Sequence, residues 1–182
     1  MDVQPGILAN LGADADAYLE KVKTVVDAAH AAKMPVIFVV VRFRAGFPEV
    51  SQKSKMFGSI KQNGGTKFVE TDPAAQPAIT PSEHDFVVTK RRVSAFSGSD
   101  LEVLLRGLDV DRLALCGIAT SGVVLSTLRE AADKDYRLSV IADACHDHDP
   151  EVHDVLTTKV FPRQAEVVTA ADWAANAGRQ TA

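Results

Sequence analysis

The chain has 182 residues, of which 46% are hydrophobic and 24% charged, and it carries a formal net charge of −4. That length suits one domain spanning 1–182 with a core that needs neither disulfides nor a metal, and the composition excludes a disordered chain or a fibre. The slight acidity gives no basic footprint for nucleic acid, and no apolar run is long enough for a membrane span, so a small molecule is the expected partner. Two cysteines, Cys116 and Cys145, with no signal peptide, point to reduced thiols and the cytoplasm.

In chain order, Ala17 to Ala32 sets Leu19, Val22, Val26 and Ala29 at helical spacing, and Lys33-Met34-Pro35 ends that helix. Val36 to Val41 is an uninterrupted apolar run, the pattern of a parallel strand covered by helices on both faces. From Arg42 to Thr80, Gly46, Pro48, Gly58, Gly64, Gly65, Pro73 and Pro77 break any sustained periodicity, which predicts a long functional loop. Phe86 to Val88 reads as a strand, followed by Ser99-Asp100-Leu101-Glu102 as a capping box opening a helix through Val103, Leu104 and Leu105. Arg112 to Cys116 is the next strand, and the helix after it starts near Thr120 or Ser121 with Val124, Leu128 and Ala131 on one face. Arg137 to Ala142 is a further strand. Asp149-Pro150 caps a helix bearing Val152, Val155, Leu156 and Val160, and Ala165 to Val168 closes the series before a second box at Thr169 and Asp172. Strand and helix alternate throughout, which predicts a doubly wound α/β sheet because each parallel crossover needs a helix to return the chain.

In such a sheet the ligand crevice lies beyond the carboxyl ends of the strands. Asp2, Lys90, the turn from Gly117 to Ser121, and Asp143 to Asp149 are the polar segments to inspect. Asp2 with Lys90 reads either as an ordinary ion pair or as a carboxylate and ammonium that hold and relay a proton in a desolvated cleft. The turn reads either as a capped strand-to-helix connection or as backbone N–H groups that bind a developing oxyanion. Cys145, His146, Asp147, His148 and Asp149 are all metal-ligand types, but ligands this dense rarely wrap one ion, and Asp149 is needed as a helix cap. No metal and no cofactor are predicted. Cys116 reads as a core residue, Cys145 is only slightly better placed as a nucleophile, at a strand end with no activating base beyond His146, and His30, His84 and His153 read as surface histidines.

Asp2-Val3-Gln4, then Lys90-Arg91-Arg92-Val93-Ser94-Ala95-Phe96, then Cys116-Gly117-Ile118-Ala119-Thr120, resemble in this order the three signatures of the isochorismatase-like hydrolase superfamily. The resemblance implies a three-layer α/β/α sandwich with a six-stranded parallel sheet. It implies functional roles for Asp2 and Lys90, and a cis peptide between Ile118 and Ala119 in the anion-binding turn. The position of the family's nucleophilic cysteine is occupied by Val123, so the resemblance implies an acid–base hydrolase without a thioester, or a binding protein that has kept the fold and lost turnover. A third reading places an amidohydrolase nucleophile at Cys145. In this frame Asp2 is the general acid or base, Lys90 tunes it, and the N–H groups of Ala119 and Val123 beside Ile118 bind an anion. Arg44 and Phe47 of the long loop are the expected substrate contacts. The family's first strand would end at Asp2, so a truncated strand is expected, and with it lower stability than in a form extended by about seven residues. A homo-oligomer, dimer or tetramer, is expected, with the helix from Val123 to Ala131 as its interface.

Overall fold

The computed structural model describes residues 1–179, so 180–182 of the expected domain lie outside the described residues. Short helix α1 (Pro5–Leu8) and long helix α2 (Ala15–Ala31) precede strand β1 (Ile37–Val41). Helix α3 (Lys55–Asn63), strand β2 (Phe86–Lys90), helix α4 (Leu101–Gly107) and strand β3 (Arg112–Ile118) follow. Then come helix α5 (Leu125–Asp133), strand β4 (Arg137–His146), helix α6 (Pro150–Val155), strand β5 (Glu166–Val168) and helix α7 (Ala170–Asn176). All strand pairings between these elements are parallel.

Residues alternate between two cores. Leu138 and Val140 of β4 pack with Leu105 of α4 and Leu128 of α5, whereas Ile141 packs with Val22 and Val26 of α2 and Trp173 of α7. Because successive strand residues point to opposite faces, the two clusters are helix layers on either side of the sheet, the expected α/β/α arrangement.

The sheet itself differs from the expected six strands. Five strands lie in two pieces, β1–β2 and β3–β4–β5. Between them sits only the start of the chain: the Asp2 N–H donates to Val39 O (2.8 Å), the Ile118 N–H donates to Met1 O (3.2 Å), and the Met1 amino group donates to Cys116 O (2.9 Å). Met1 and Asp2 thus occupy the place between β1 and β3. Gln4 extends this pairing with its side chain. Its amide oxygen accepts from the Val41 N–H (2.9 Å), and Nε2 donates to Val41 O (3.1 Å) and Ala75 O (2.8 Å). The residue is fully buried, so Gln4→Ala leaves three backbone groups unsatisfied and should lower unfolding free energy by about 2–4 kcal/mol in urea titration.

Two expectations need correction. The loop from Arg42 to Thr80 contains α3, whose Ser54 side chain accepts from the Phe57 N–H. Met56, Phe57 and Ile60 are at helical spacing, a signal the surrounding glycines obscured. The apolar face of α5 is not an exposed interface, since Val124, Leu128 and Ala131 are all fully buried in the core. No helix among the described residues is long and apolar enough to cross a membrane.

Candidate active site

Three strand ends converge on one cavity of about 560 Å³: Val41 of β1, Lys90 of β2 and Ile118 of β3 all line it, together with Asp2. Asp2, at a positive φ of 57°, lies between the strand-like pairing of the chain start and α1, and lines the cavity. Lys90 Nζ lies 2.8 Å from Asp2 Oδ2 and also donates to Arg92 O at 3.1 Å. Both side chains are almost wholly buried, Lys90 3% and Asp2 8% exposed, so water screens their attraction little. Burial raises the Asp2 carboxyl above its ordinary value, against the opposing pull of Lys90. The second carboxyl oxygen, Oδ1, is buried without a hydrogen-bond partner. One oxygen is thus held by the ammonium, and the other has no hydrogen-bond partner.

The opposite side of the cavity is the turn after β3. The Ile118–Ala119 peptide is cis, as the resemblance implies. Ala119, Gly122 and Val123 line the cavity, and the chain continues through a wide π-helical turn, Thr120–Val124, into α5. Two side chains hold this turn from behind. Asp147 Oδ2 accepts from the Ser121 N–H (2.6 Å), and Thr120 Oγ1 meets His153 Nδ1 at 2.9 Å. His153 is therefore a partner of the turn and not the free surface histidine expected. Burial raises the Asp147 carboxyl, but hydrogen bonds from Ser121, Asp149 and His148 outweigh it and hold the group below its ordinary 3.8. The stability Asp147 contributes is present above pH 3.8 and is lost as pH falls through the depressed value. Asp147→Asn should flatten the acid limb of the stability curve and cost about 1–2 kcal/mol at pH 7 by thermal melting.

The rest of the lining was not foreseen: Asn10 and Leu11 after α1, Met56, Phe57 and Ile60 on α3, and His146 and His148 at the end of β4. Strand β4 runs to His146, four residues past its expected end, because Gly117 and Ile118 of β3 continue to pair with Cys145 and His146. Arg44 and Phe47, the expected loop contacts, do not line the cavity. Arg44 pairs with Glu49 at the surface (2.5 Å), and Phe47 is buried against Phe43, whose ring packs in turn on the cavity-lining Phe57.

Neither thiol reaches the cavity. Burial pushes the Cys145 thiol far above its ordinary range and raises Cys116 as well, so both remain protonated and poorly nucleophilic. Among the described residues no three of His, Cys, Asp and Glu cluster as a metal site. Asp143 accepts from the Ala170 N–H, Asp147 holds the turn and Asp149 caps α6, so these carboxylates face different partners.

Comparison with known proteins agrees with this geometry. Over about half its length, 87 residues, the chain is 41% identical to the isochorismatase family protein YwoC of Bacillus subtilis, and it spans 46% of that protein. It is 29% identical over 170 residues to the isochorismatase family protein YecD of Escherichia coli O157:H7, covering 92% of this chain and 88% of the relative. An isochorismatase family protein of Burkholderia thailandensis superposes with a TM-score of 0.81 at 30% identity, covering 96% of this chain and 90% of that one. The Isochorismatase domain model matches residues 1–172, and with these likenesses the chain belongs to the isochorismatase family.

Proposed function

We propose that the chain hydrolyses a small organic molecule by Asp2–Lys90 acid–base chemistry, without a covalent thioester. The observation that carries this reading is the buried Asp2–Lys90 ion pair, whose two residues line a largely apolar chamber and whose Asp2 Oδ1 has no hydrogen-bond partner. A carboxyl whose affinity for protons is raised by burial, and whose other oxygen is fixed by an ammonium, can take a proton from an attacking water or give one to a leaving atom. Lys90 fixes the carboxyl and limits how far its proton affinity rises. The N–H groups of Ala119 and Val123, beside Ile118, are the proposed donors to the negative charge that develops on the substrate. Val123 supplies no nucleophile and the thiols lie elsewhere, so water is the proposed attacking group. The chamber takes a small molecule, not a polymer, and the proposed site needs no metal or cofactor.

Several relatives indicate the bonds to test. The chain is 30% identical over 150 residues to a ureidoacrylate amidohydrolase of Stutzerimonas stutzeri, 73% of this chain and 58% of that protein, and 37% identical over 106 residues to a probable isochorismatase of Pseudomonas chlororaphis. The test is turnover of purified protein against small amides, ureido compounds and isochorismate, a vinyl ether. Hydrolysis that iodoacetamide leaves intact is the expected result; loss of activity on thiol alkylation would overturn the thiol-free route. Val123 favours a second reading, a non-catalytic binding protein on the same fold. Micromolar binding of a panel member, with no turnover at any pH, would establish that reading.

A further inference from the structure

Strand β2 ends at Lys90, and Arg91 and Arg92 after it lie in neither helix nor strand. Regular pairing therefore does not set the place of the Arg92 carbonyl, which together with Asp2 Oδ2 accepts from Lys90 Nζ. Side chains hold this turn instead, and the grip comes from the loop between β1 and α3.

Glu49 takes hold of the two residues in succession. Its Oε1 accepts from Arg91 Nε at 3.0 Å, and its main-chain oxygen accepts from Arg92 Nη2 at 3.2 Å. Arg44 Nη1 donates to the same Oε1 at 2.5 Å, from within the loop. The Glu49 and Arg91 side chains are only 15% and 22% exposed, so their attraction is screened less than that of a pair in open water. Arg92 Nη1 donates to Arg91 O at 2.5 Å, which ties the turn to itself, and its guanidinium lies 5.9 Å from the centre of the cavity-lining Phe57 ring. Glu49, Arg91 and Arg92 do not themselves line the cavity.

We propose that Glu49 is a positioning residue for the Asp2–Lys90 pair: through Arg91 and Arg92 it fixes the carbonyl that holds one side of the Lys90 ammonium while Asp2 holds another. The contacts run unbroken from the loop to the carboxyl, from Glu49 to Arg91 and Arg92, from Arg92 O to Lys90 Nζ, and from Lys90 Nζ to Asp2 Oδ2. A buried ammonium keeps one orientation only while its acceptors stay in place, and a displacement of about 1 Å at a reacting group can cost about 100-fold in rate. Glu49 acts from outside the cavity, so its removal should disturb the pair and not the space a ligand fills. As a role in the reaction this rests on the acid–base reading above; as a hold on the ion pair it rests on geometry alone.

The test compares Glu49→Ala and Arg91→Met, which break the grip from its two ends, with Glu49→Gln, which keeps an oxygen for Arg91 Nε. Glu102→Ala, which removes the partner of Lys134 and Arg106, is the control for an ion pair of purely structural role. The Asp2 carboxyl is followed against pH by carbon NMR, and kcat and KM are measured on the substrate the chain hydrolyses. In Glu49→Ala and Arg91→Met the carboxyl should titrate at higher pH than in the unaltered chain, because a loosely held ammonium opposes the effect of burial less. Their kcat should fall about tenfold or more, with KM changed by less than about threefold. Glu49→Gln should shift both readouts in the same direction by much less, and Glu102→Ala should shift neither. An Asp2 titration unchanged in every folded variant of Glu49 and Arg91 would overturn the proposal whatever the rates. A rise in KM at constant kcat would overturn it too, by making Glu49 a support of the cavity wall. The titration needs no turnover, so a shifted titration in a chain that hydrolyses nothing, or whose Asp2→Asn variant keeps full turnover, would strike the acid–base reading and leave the hold on Lys90 standing.

Discussion

Asp2→Asn should lower kcat/KM on the hydrolysed substrate by about 100-fold or more while leaving the fold intact, because a positioned acid or base contributes roughly 10²–10⁴ in rate. Asparagine keeps the shape of the side chain, and its amide oxygen can still accept from Lys90 Nζ, now 2.8 Å from Asp2 Oδ2. The titratable proton is lost, and with it the negative charge that pairs with Lys90. Lys90→Met separates the two roles of the pair. It leaves a carboxyl buried without its cation, and breaking such a pair costs about 3–5 kcal/mol. The sign with pH follows from burial, which already raises Asp2 despite Lys90. A group whose folded-state affinity for protons is raised stabilises the fold at pH below its ordinary 3.8 and loses that contribution as pH rises through the raised value. Without Lys90 that value climbs further. The destabilisation of Lys90→Met should therefore grow with pH across this wider window, and any surviving activity should show its carboxyl limb at higher pH. The double variant Asp2→Asn/Lys90→Met should recover most of the lost stability and none of the activity. Full turnover in Asp2→Asn, by steady-state kinetics, would remove Asp2 from the chemistry.

The parts of this fold that local chemistry dictates were legible in the residues. Uninterrupted apolar runs become strands buried on both faces, as Ile37–Val41 shows. Thr169 accepts from the Asp172 N–H and Asp149 from the Glu151 N–H, as the capping patterns predict. What was not legible depends on contacts between segments far apart in sequence. Helix α3 lies among glycines, and its one clear signal, Ser54 before Phe57 and Ile60, is short. Phe57 lines the cavity whereas Phe47 does not, although both rings meet Phe43, whose position is set by contacts distant in sequence. His146 and His148 read as members of a ligand-rich run, and only the extra pairing of β4 with β3 brings them to the cavity. Gln4 belongs to the first motif, Asp2-Val3-Gln4, but its role as a side-chain substitute for strand pairing exists only once Val41 and Ala75 are beside it.

The same dependence on the chain start makes Gly117→Ala the substitution of smallest size and largest expected cost. At Gly117 φ is +146°, a conformation that residues with a side chain rarely adopt, and a Cβ placed there would lie 2.1 Å from Met1 O and 2.9 Å from its carbonyl carbon. Relief by moving Met1 is blocked from two directions, since Met1 O accepts from the Ile118 N–H and the Met1 amino group donates to Cys116 O. Any retreat would break those bonds and drag Asp2 away from Lys90. The expected result is a loss of about 3 kcal/mol or more in unfolding free energy, together with loss of turnover even where the protein remains folded. Gly122→Ala supplies the contrast. It lies on the same turn, but its nearest neighbour is the Ala119 Cβ at 3.7 Å, an ordinary contact. Its stability should change by less than about 1 kcal/mol, with the sign favourable because alanine suits a helical turn better than glycine. If the two variants melted alike in urea, the close approach of Met1 to Gly117 would not be what holds Asp2 in place.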